Sequence, residues 1–158
     1  MKRLVTILIV VTIATLGGAA GCGGEERLSR EEFRDRLQSI EERGGELWGR
    51  LADRAQSLET NQPLPGEIEQ ALRQLVEFQE QTVSELEALT PPEGAEQPVE
   101  MLTEALRKRT ESFKEVIATG HFTEQDSDRV TQAGDEIDEA FEQLRAGGFL
   151  PAEDDHQE

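Results

Sequence analysis

The chain is poor in the residues that build most functional sites. Its 158 residues include one cysteine, two histidines, one tryptophan, six phenylalanines and no tyrosine. A single cysteine excludes an intramolecular disulfide, so the body must fold on its apolar core alone. The scarcity of tyrosine and tryptophan argues against carbohydrate- and peptide-binding faces, which use these side chains as anchors.

Positive charge is also scarce. Lysine and arginine total 16 against 34 acidic residues, which gives a formal net charge of −18. Nucleic acid repels such a surface, because phosphates are bound by lysine and arginine. We therefore exclude DNA and RNA as partners. Anionic lipid headgroups repel the body as well.

Motifs for catalysis are missing. The sequence has no Cys-x-x-Cys-His for haem, no Gly-x-Ser-x-Gly and no phosphate-binding loop. Glu153 and His156 have the Glu-x-x-His spacing of di-iron bundles, but that motif works in pairs inside a bundle core and here stands once near the end of the chain. An enzyme would need a cavity that brings acids together with His121. We predict no catalytic residue, no metal ligand and no cofactor.

Acidic residues near residue 130 offer oxygen ligands for calcium. They are Asp126, Asp128, Asp135 and Asp138. The central glycine and final glutamate of an EF-hand loop are missing from this stretch. For Asp126 and Asp128 a simpler interpretation is that acids in the first turns of a helix are stabilised by its dipole.

Four segments each carry an apolar stripe, which is a row of apolar residues at steps of three and four, the spacing of one helix face. They predict helices at about 29–59, 67–89, 96–119 and 123–146. Ser29 with Glu32 has the pattern of a capping box at the start of the first. Thr123 is the expected N-cap of the fourth, with Asp126 at the position where a capping box has glutamate or glutamine. Turns rich in proline or glycine separate the segments.

The predicted fold is all-α, an antiparallel up-down four-helix bundle over residues 29–150. We expect a signal-peptide helix and a flexible tether before it. Phe149 and Leu150 could fold back as a cap, and residues 151–158 form a disordered acidic tail. An elongated coiled-coil hairpin that dimerises is the structural alternative.

Several residues depart from the helical pattern. Gly44 and Gly45 interrupt the first stripe, which indicates a kink or a close helix contact. Arg109 lies within the third stripe, where we expect it to extend outward along its aliphatic stem. Otherwise it pairs with a buried acid or faces a ligand. Trp48 is expected in the core at a helix crossing, with an exposed binding contact as the alternative. The second stripe is less regular near Gln79.

The N-terminal segment has the parts of a secretory signal peptide. Lys2 and Arg3 precede an apolar run at 4–16, and small residues then lead to Cys22. The run is shorter than the ~20 residues that a membrane-spanning helix needs.

The sequence Ala19-Ala20-Gly21-Cys22 resembles the lipobox of bacterial lipoproteins, although leucine is usual where Ala19 stands. The resemblance implies cleavage before Cys22 and a diacylglyceryl lipid on its thiol. The chain would then comprise a leader (1–21), a lipidated tether (22–28), the bundle and the tail. It would be anchored in the cell membrane on the extracytoplasmic side. An ordinary secretory signal that leaves a free Cys22, or an uncleaved anchor, are the alternatives.

Leu86-Glu-Ala-Leu89-Thr-Pro91-Pro92 lies between two amphipathic segments. With its surroundings at 67–119, it is similar to small helical lipoproteins of unknown function from high-GC Gram-positive bacteria. The motif ends one helix and starts the next, and it implies no catalytic residue. We expect a non-catalytic protein-interaction or scaffold module at the cell envelope, whose partner is an envelope protein or a second copy. The alternative is a lipoprotein that binds a solute or cation in an inter-helix pocket.

Overall fold

Four helices form the body of the protein. The computed structural model describes residues 27–55 and 61–152, and within them it has α1 (Arg30–Ala55), α2 (Gly66–Glu87), α3 (Glu96–Thr119) and α4 (Glu124–Ala146), with no strand. The fold is the predicted all-α, antiparallel up-down four-helix bundle. None of these helices combines the length and the apolar composition needed to cross a membrane. The predicted leader, the lipobox and residues 153–158 lie outside the described residues.

The predicted helix bounds are close to those observed. Helix α3 has the expected limits, and α2 and α4 differ from them by one or two residues. Such differences are within the usual uncertainty of helix ends. Helix α1 ends at Ala55, four residues before the expected position. Residues 56–60 lie outside the described part, so α1 is assigned only to that point.

The predicted capping box of α1 and the predicted Thr123 cap of α4 are confirmed, and the α4 cap is a full capping box. The Glu32 N–H donates to Ser29 Oγ at 3.2 Å, and the Ser29 N–H donates to Glu32 Oε2 at 3.2 Å. Thr123 and Asp126 exchange the same two bonds at the start of α4, at 3.2 and 2.9 Å. Each box gives hydrogen-bond acceptors to backbone N–H groups that no helical carbonyl can reach. An aspartate therefore performs the role that glutamate usually has at this position.

The chain folds back after α4, as expected. Gly148 adopts φ 72°, and the Phe149 N–H then donates to the carbonyl of Leu144 at 2.9 Å. The side chains of Phe149 and Leu150 are 2% and 4% exposed. The Phe149 ring meets the edge of Phe33 of α1 at a centroid distance of 5.9 Å. This turned-back segment, from Gly148 to Leu150, is called the Phe149 hook. It fills the end of the bundle between α1 and α4.

The apolar core is divided along the bundle into two clusters. The first lies where α1 begins and includes Phe33, Leu37, Leu86, Leu102, Leu144 and Phe149. The second lies where α1 ends and includes Leu51, Ile68, Leu72, Leu75, Phe113, Val116 and Val130. Gln79 and Thr110 lie in the middle turns of α2 and α3, and both are buried. A polar layer therefore crosses the core at mid-height.

Backbone hydrogen bonds join the connections at each end of the bundle. At one end, the Asn61 N–H donates to the Phe122 carbonyl at 2.8 Å and the Leu64 N–H to the Gly120 carbonyl at 2.7 Å. At the other end, the Leu28 N–H donates to the carbonyl of Thr90 at 3.2 Å. The loops thus hold neighbouring helix ends together independently of the core.

Helices α1 and α4 face each other across a seam without close backbone packing. Helix α1 packs on α2, α2 on α3 and α3 on α4, but no Cα atom of α1 lies within 8 Å of a Cα atom of α4. Directly packed helices have axes ~8–10 Å apart. Side chains close this α1–α4 seam at one end, where Arg145 forms an ion pair with Glu41 beside the Phe149 hook.

The capping box of α4 gives the first prediction. Burial by itself would raise the pKa of Asp126, but hydrogen bonds from Thr123 and Arg129 outweigh it and lower that pKa. A lowered folded-state pKa stabilises the fold above the unfolded pKa, and this contribution is lost as pH falls through the folded value. We expect Asp126→Asn to lower the free energy of unfolding by ~1 kcal/mol at pH 7. Urea unfolding at pH 7 and pH 3 measures the change.

The control is Asp128→Asn, an exposed acid on the same helix, which we expect to alter stability by less than ~0.5 kcal/mol. At pH 3 the difference between Asp126→Asn and the parent should shrink, because the carboxyl of the unfolded chain, with an ordinary pKa of about 3.9, is then mostly protonated. An equal loss at both pH values would contradict the charge-based explanation.

Candidate functional site

A cleft opens in the middle of the α1–α4 seam, between the two halves of the core. Its volume is about 160 Å³, and every helix contributes to its lining. The lining includes Gly44 and Trp48 of α1, Phe78 of α2, Arg109 of α3 and Asp138 of α4. We call it the Arg109 cleft. It lies at the level of the polar layer and adjoins the Glu41–Arg145 pair, because Glu41 also contributes to its lining.

Two glycines form the α1 side of the cleft. A Cβ atom built on Gly44 would lie 3.3 Å from Cε1 of Phe78, whereas one on Gly45 would meet nothing within 4 Å. The predicted close helix contact is therefore confirmed at Gly44, and Gly45 borders open space. Side chains at both positions would occupy part of the cleft.

A buried glutamine fixes the guanidinium of Arg109. The Thr110 hydroxyl donates its one proton to the Leu106 carbonyl at 2.7 Å, so it accepts from the Gln79 amide nitrogen at 3.0 Å. The amide oxygen of Gln79 then faces Arg109 and accepts from Nε and Nη2, both at 2.9 Å. Gln79 has no exposed surface. A chain of hydrogen bonds across α2 and α3 thus holds the cation in place.

Trp48 lies at the mouth of the cleft. The Cζ atom of Arg109 is 5.3 Å from the centroid of its ring, within the range of a cation–π contact. The ring also packs 6.3 Å from Phe113. Trp48 is nevertheless 40% exposed. Among the described residues it is the only large apolar side chain that is exposed. The expectation of a core tryptophan was wrong, because no close α4 neighbour covers its outer face.

Arg109 remains inside rather than extending to the surface, contrary to the first expectation. Burial lowers its pKa to about 10, and the carboxylate of Asp138 opposes that shift. The side chain is still charged at neutral pH. Among the residues that the structure describes, no carboxylate forms an ion pair with it. Asp138 is exposed and acts from a distance.

Three basic side chains on the neighbouring faces of α3 and α4 are paired with acids. Lys108 bonds Glu136 at 2.8 Å, Lys114 bonds Glu80 at 2.8 Å, and Arg129 bonds Glu115 at 2.7 Å. These residues border a wider groove of about 590 Å³ between α3 and α4. Their charges are compensated, which distinguishes that groove from the Arg109 cleft.

The other candidate sites are not assembled. Asp126 belongs to the capping box and bonds Arg129 at 2.6 Å, as expected for an acid in a first turn. Within residues 27–55 and 61–152 no group of three or more His, Cys, Asp or Glu side chains is arranged to hold a metal ion. His121 is exposed, and its Nδ1 lies 3.0 Å from the carbonyl of Thr119. Glu153, His156 and the lipobox residues Ala19, Ala20, Gly21 and Cys22 lie outside the described residues.

Comparison of the chain with protein-family models, with curated proteins and with solved structures finds no match. The similarity to bacterial lipoproteins therefore depends on the sequence motifs alone. Sequence analysis did not connect two residues with Arg109, namely Gln79, which bonds its guanidinium, and Asp138, which lines the cleft. The irregular stripe near Gln79 was the signal for the first, and the sequence carries no comparable signal for the second.

The two glycines of α1 give the second prediction. Gly45→Ala should raise the free energy of unfolding by up to ~1 kcal/mol, because alanine favours helix and its Cβ meets open space. Gly44→Ala is the matched control, since it has the same helix propensity gain but must displace the Phe78 ring. We expect Gly44→Ala to raise the free energy of unfolding by less than Gly45→Ala does, or to lower it. Urea unfolding measures both changes, and equal increments would contradict the close contact at Gly44.

Proposed function

We propose that this protein is a non-catalytic lipoprotein anchored at the outer face of a bacterial cell membrane, and that its helical body binds a small anionic solute. The lipobox at Cys22 supports the location. The observation that carries the role is the charged guanidinium of Arg109, held in an inter-helix cleft without an acid paired to it.

The charge of the cleft supports an anion among the solutes that the sequence left open. A guanidinium at the base of a partly buried site attracts anions and repels cations, and the low local dielectric strengthens both effects. Lipoproteins that bind metal ions would need converging oxygen or nitrogen ligands. The cleft offers two carboxylates, Asp138, which is exposed, and Glu41, which is already paired with Arg145. We therefore favour an anion over a cation.

A protein-interaction scaffold is the second candidate. Trp48 supports it, because single exposed tryptophans often anchor protein interfaces. Stable interfaces usually begin from larger apolar patches, and Trp48 stands without exposed large apolar neighbours in the described residues. A second copy of the chain or an envelope protein would dock at the mouth of the α1–α4 seam.

A lipid on Cys22 would orient the bundle. Cys22 stands five residues before Arg27, a distance of at most ~17 Å in an extended chain. The start of α1, the α2–α3 turn and the end of α4 would then face the membrane. Arg109 is 13 residues into α3, or ~20 Å along the helix axis. The cleft would open to the side of the bundle, above the headgroups.

The anchor gives the third prediction. With Cys22→Ala, no thioether can form, so we expect the protein to be lost from washed membranes and its lipid-sized mass increment to disappear. Membrane fractionation and intact mass spectrometry measure the two effects. The control is Cys22→Ala with Glu26→Cys, which restores a thiol outside the lipobox and should remain unlipidated. Full recovery of the Cys22→Ala protein in membranes would contradict the proposed anchor.

The two roles differ in oligomeric state. Solute binding by one bundle predicts a monomer whose sedimentation coefficient does not depend on protein concentration. A scaffold that pairs through the seam predicts concentration-dependent dimers that Trp48→Ala abolishes. We expect the monomer, measured by sedimentation velocity of the purified chain in detergent. Dimers that depend on Trp48 would favour the scaffold.

A further inference from the structure

We infer that the Arg109 cleft is a binding site for a small monocarboxylate whose apolar body is about the size of one six-membered ring. This inference rests on the proposed solute-binding role and defines its ligand class. It does not depend on the lipid anchor.

The guanidinium presents a free pair of donors. Arginine has five N–H groups, and Gln79 accepts from Nε and from one position on Nη2. The two N–H groups of Nη1 and the second of Nη2 have no acceptor in the described part of the chain. The Nη1–Nη2 edge matches the two oxygens of a carboxylate.

The donors are oriented before any ligand binds. Gln79 and Thr110 are buried and fix the guanidinium plane from α2 and α3. The Trp48 ring lies against the guanidinium from α1. A side chain already held by these contacts loses little freedom on binding, and such preorganisation favours affinity.

Among the described residues, no acidic side chain occupies the position next to the free Nη1–Nη2 edge of Arg109. Asp138 influences the charge of Arg109 without forming an ion pair, and Glu41 is engaged with Arg145. Both line the cleft. In a chain with 34 acidic residues, the geometry leaves this cation for an external anion.

The size and the walls of the cleft restrict the rest of the ligand. Apolar side chains surround the space next to the guanidinium, among them Ile40, Phe78, Leu102, Leu106, Ile137 and Phe141. A cavity of ~150 Å³ lined by such residues holds benzene, and the cleft has about 160 Å³. A phenyl ring or a short branched alkyl group therefore fits. Phosphate and sulfate fit less well, because apolar walls would strip their water without replacing its hydrogen bonds.

The only tryptophan of the chain lies at this site, so its fluorescence reports binding directly. The test uses the full chain in detergent, with empty micelles as the blank, and titrates benzoate. Benzamide has the same shape without the charge. We expect benzoate to change Trp48 emission saturably and to bind at least about tenfold more tightly than benzamide, which corresponds to ~1.4 kcal/mol.

Variants separate binding from folding. Arg109→Lys keeps the charge but loses the planar pair of donors, and we expect it to weaken benzoate binding by about tenfold or more. The control is Arg107→Lys, an exposed position on the same helix, which should leave binding unchanged. Asp138→Asn removes the nearby negative charge and should tighten binding several-fold. Asp135→Asn, exposed on the same helix, is its control. Circular dichroism verifies that each variant is folded.

The inference would be overturned if benzoate and benzamide bound equally well. It would also be overturned if Arg109→Lys and Asp138→Asn, both folded, left benzoate binding unchanged. Absence of a saturable signal with benzoate and hexanoate would also overturn it. If sulfate or phosphate instead saturated the signal in an Arg109-dependent manner, the anion-binding function would stand and the carboxylate class would be wrong. If no anion bound, the proposed anion-binding function and the carboxylate class would both be wrong.

Discussion

A guanidinium inside an apolar bundle must have hydrogen-bond acceptors, and the way Arg109 obtains them organises the middle of this protein. Gln79 provides the acceptor oxygen and is itself fixed by Thr110. These groups occupy positions that leucine or isoleucine would otherwise fill. The apolar core is therefore split into two clusters. The cleft lies where the two clusters meet, with walls such as Ile40 from the first and Phe78 from the second. Trp48 covers the cation on the side that α4 leaves open.

Local signals in the sequence predicted the fold well. Apolar residues at helical spacing gave four helices, and capping residues such as Ser29 and Thr123 gave the starts of two of them, because both signals act within a few residues of chain. The site was only partly predictable. Gly44, Trp48 and Arg109 stood out individually, but the register between helices decides that they meet. The exposure of Trp48 follows from the distance between α1 and α4, on which no local pattern bears.

The proposed solute must approach against the overall field of the protein. The net charge of −18 repels any anion at long range, and attraction begins only near Arg109. Binding energy must then come from short-range contacts, namely the paired hydrogen bonds of a carboxylate and the burial of its apolar body. Small inorganic anions gain little from burial, because they have no apolar body. The acidic surface and the apolar walls together would thus give selectivity that neither provides alone.

The packing of α1 has a mechanical consequence. By backbone proximity α1 has one helical neighbour, α2, among the described residues, and it would also be the helix that follows the proposed tether. Tension between a membrane and the bundle would load α1 first, pulling at its start against the single Leu28–Thr90 backbone bond and the Phe33–Phe149 contact. Because α1 forms one wall of the cleft, force along the chain and occupancy of the cleft would act on the same element.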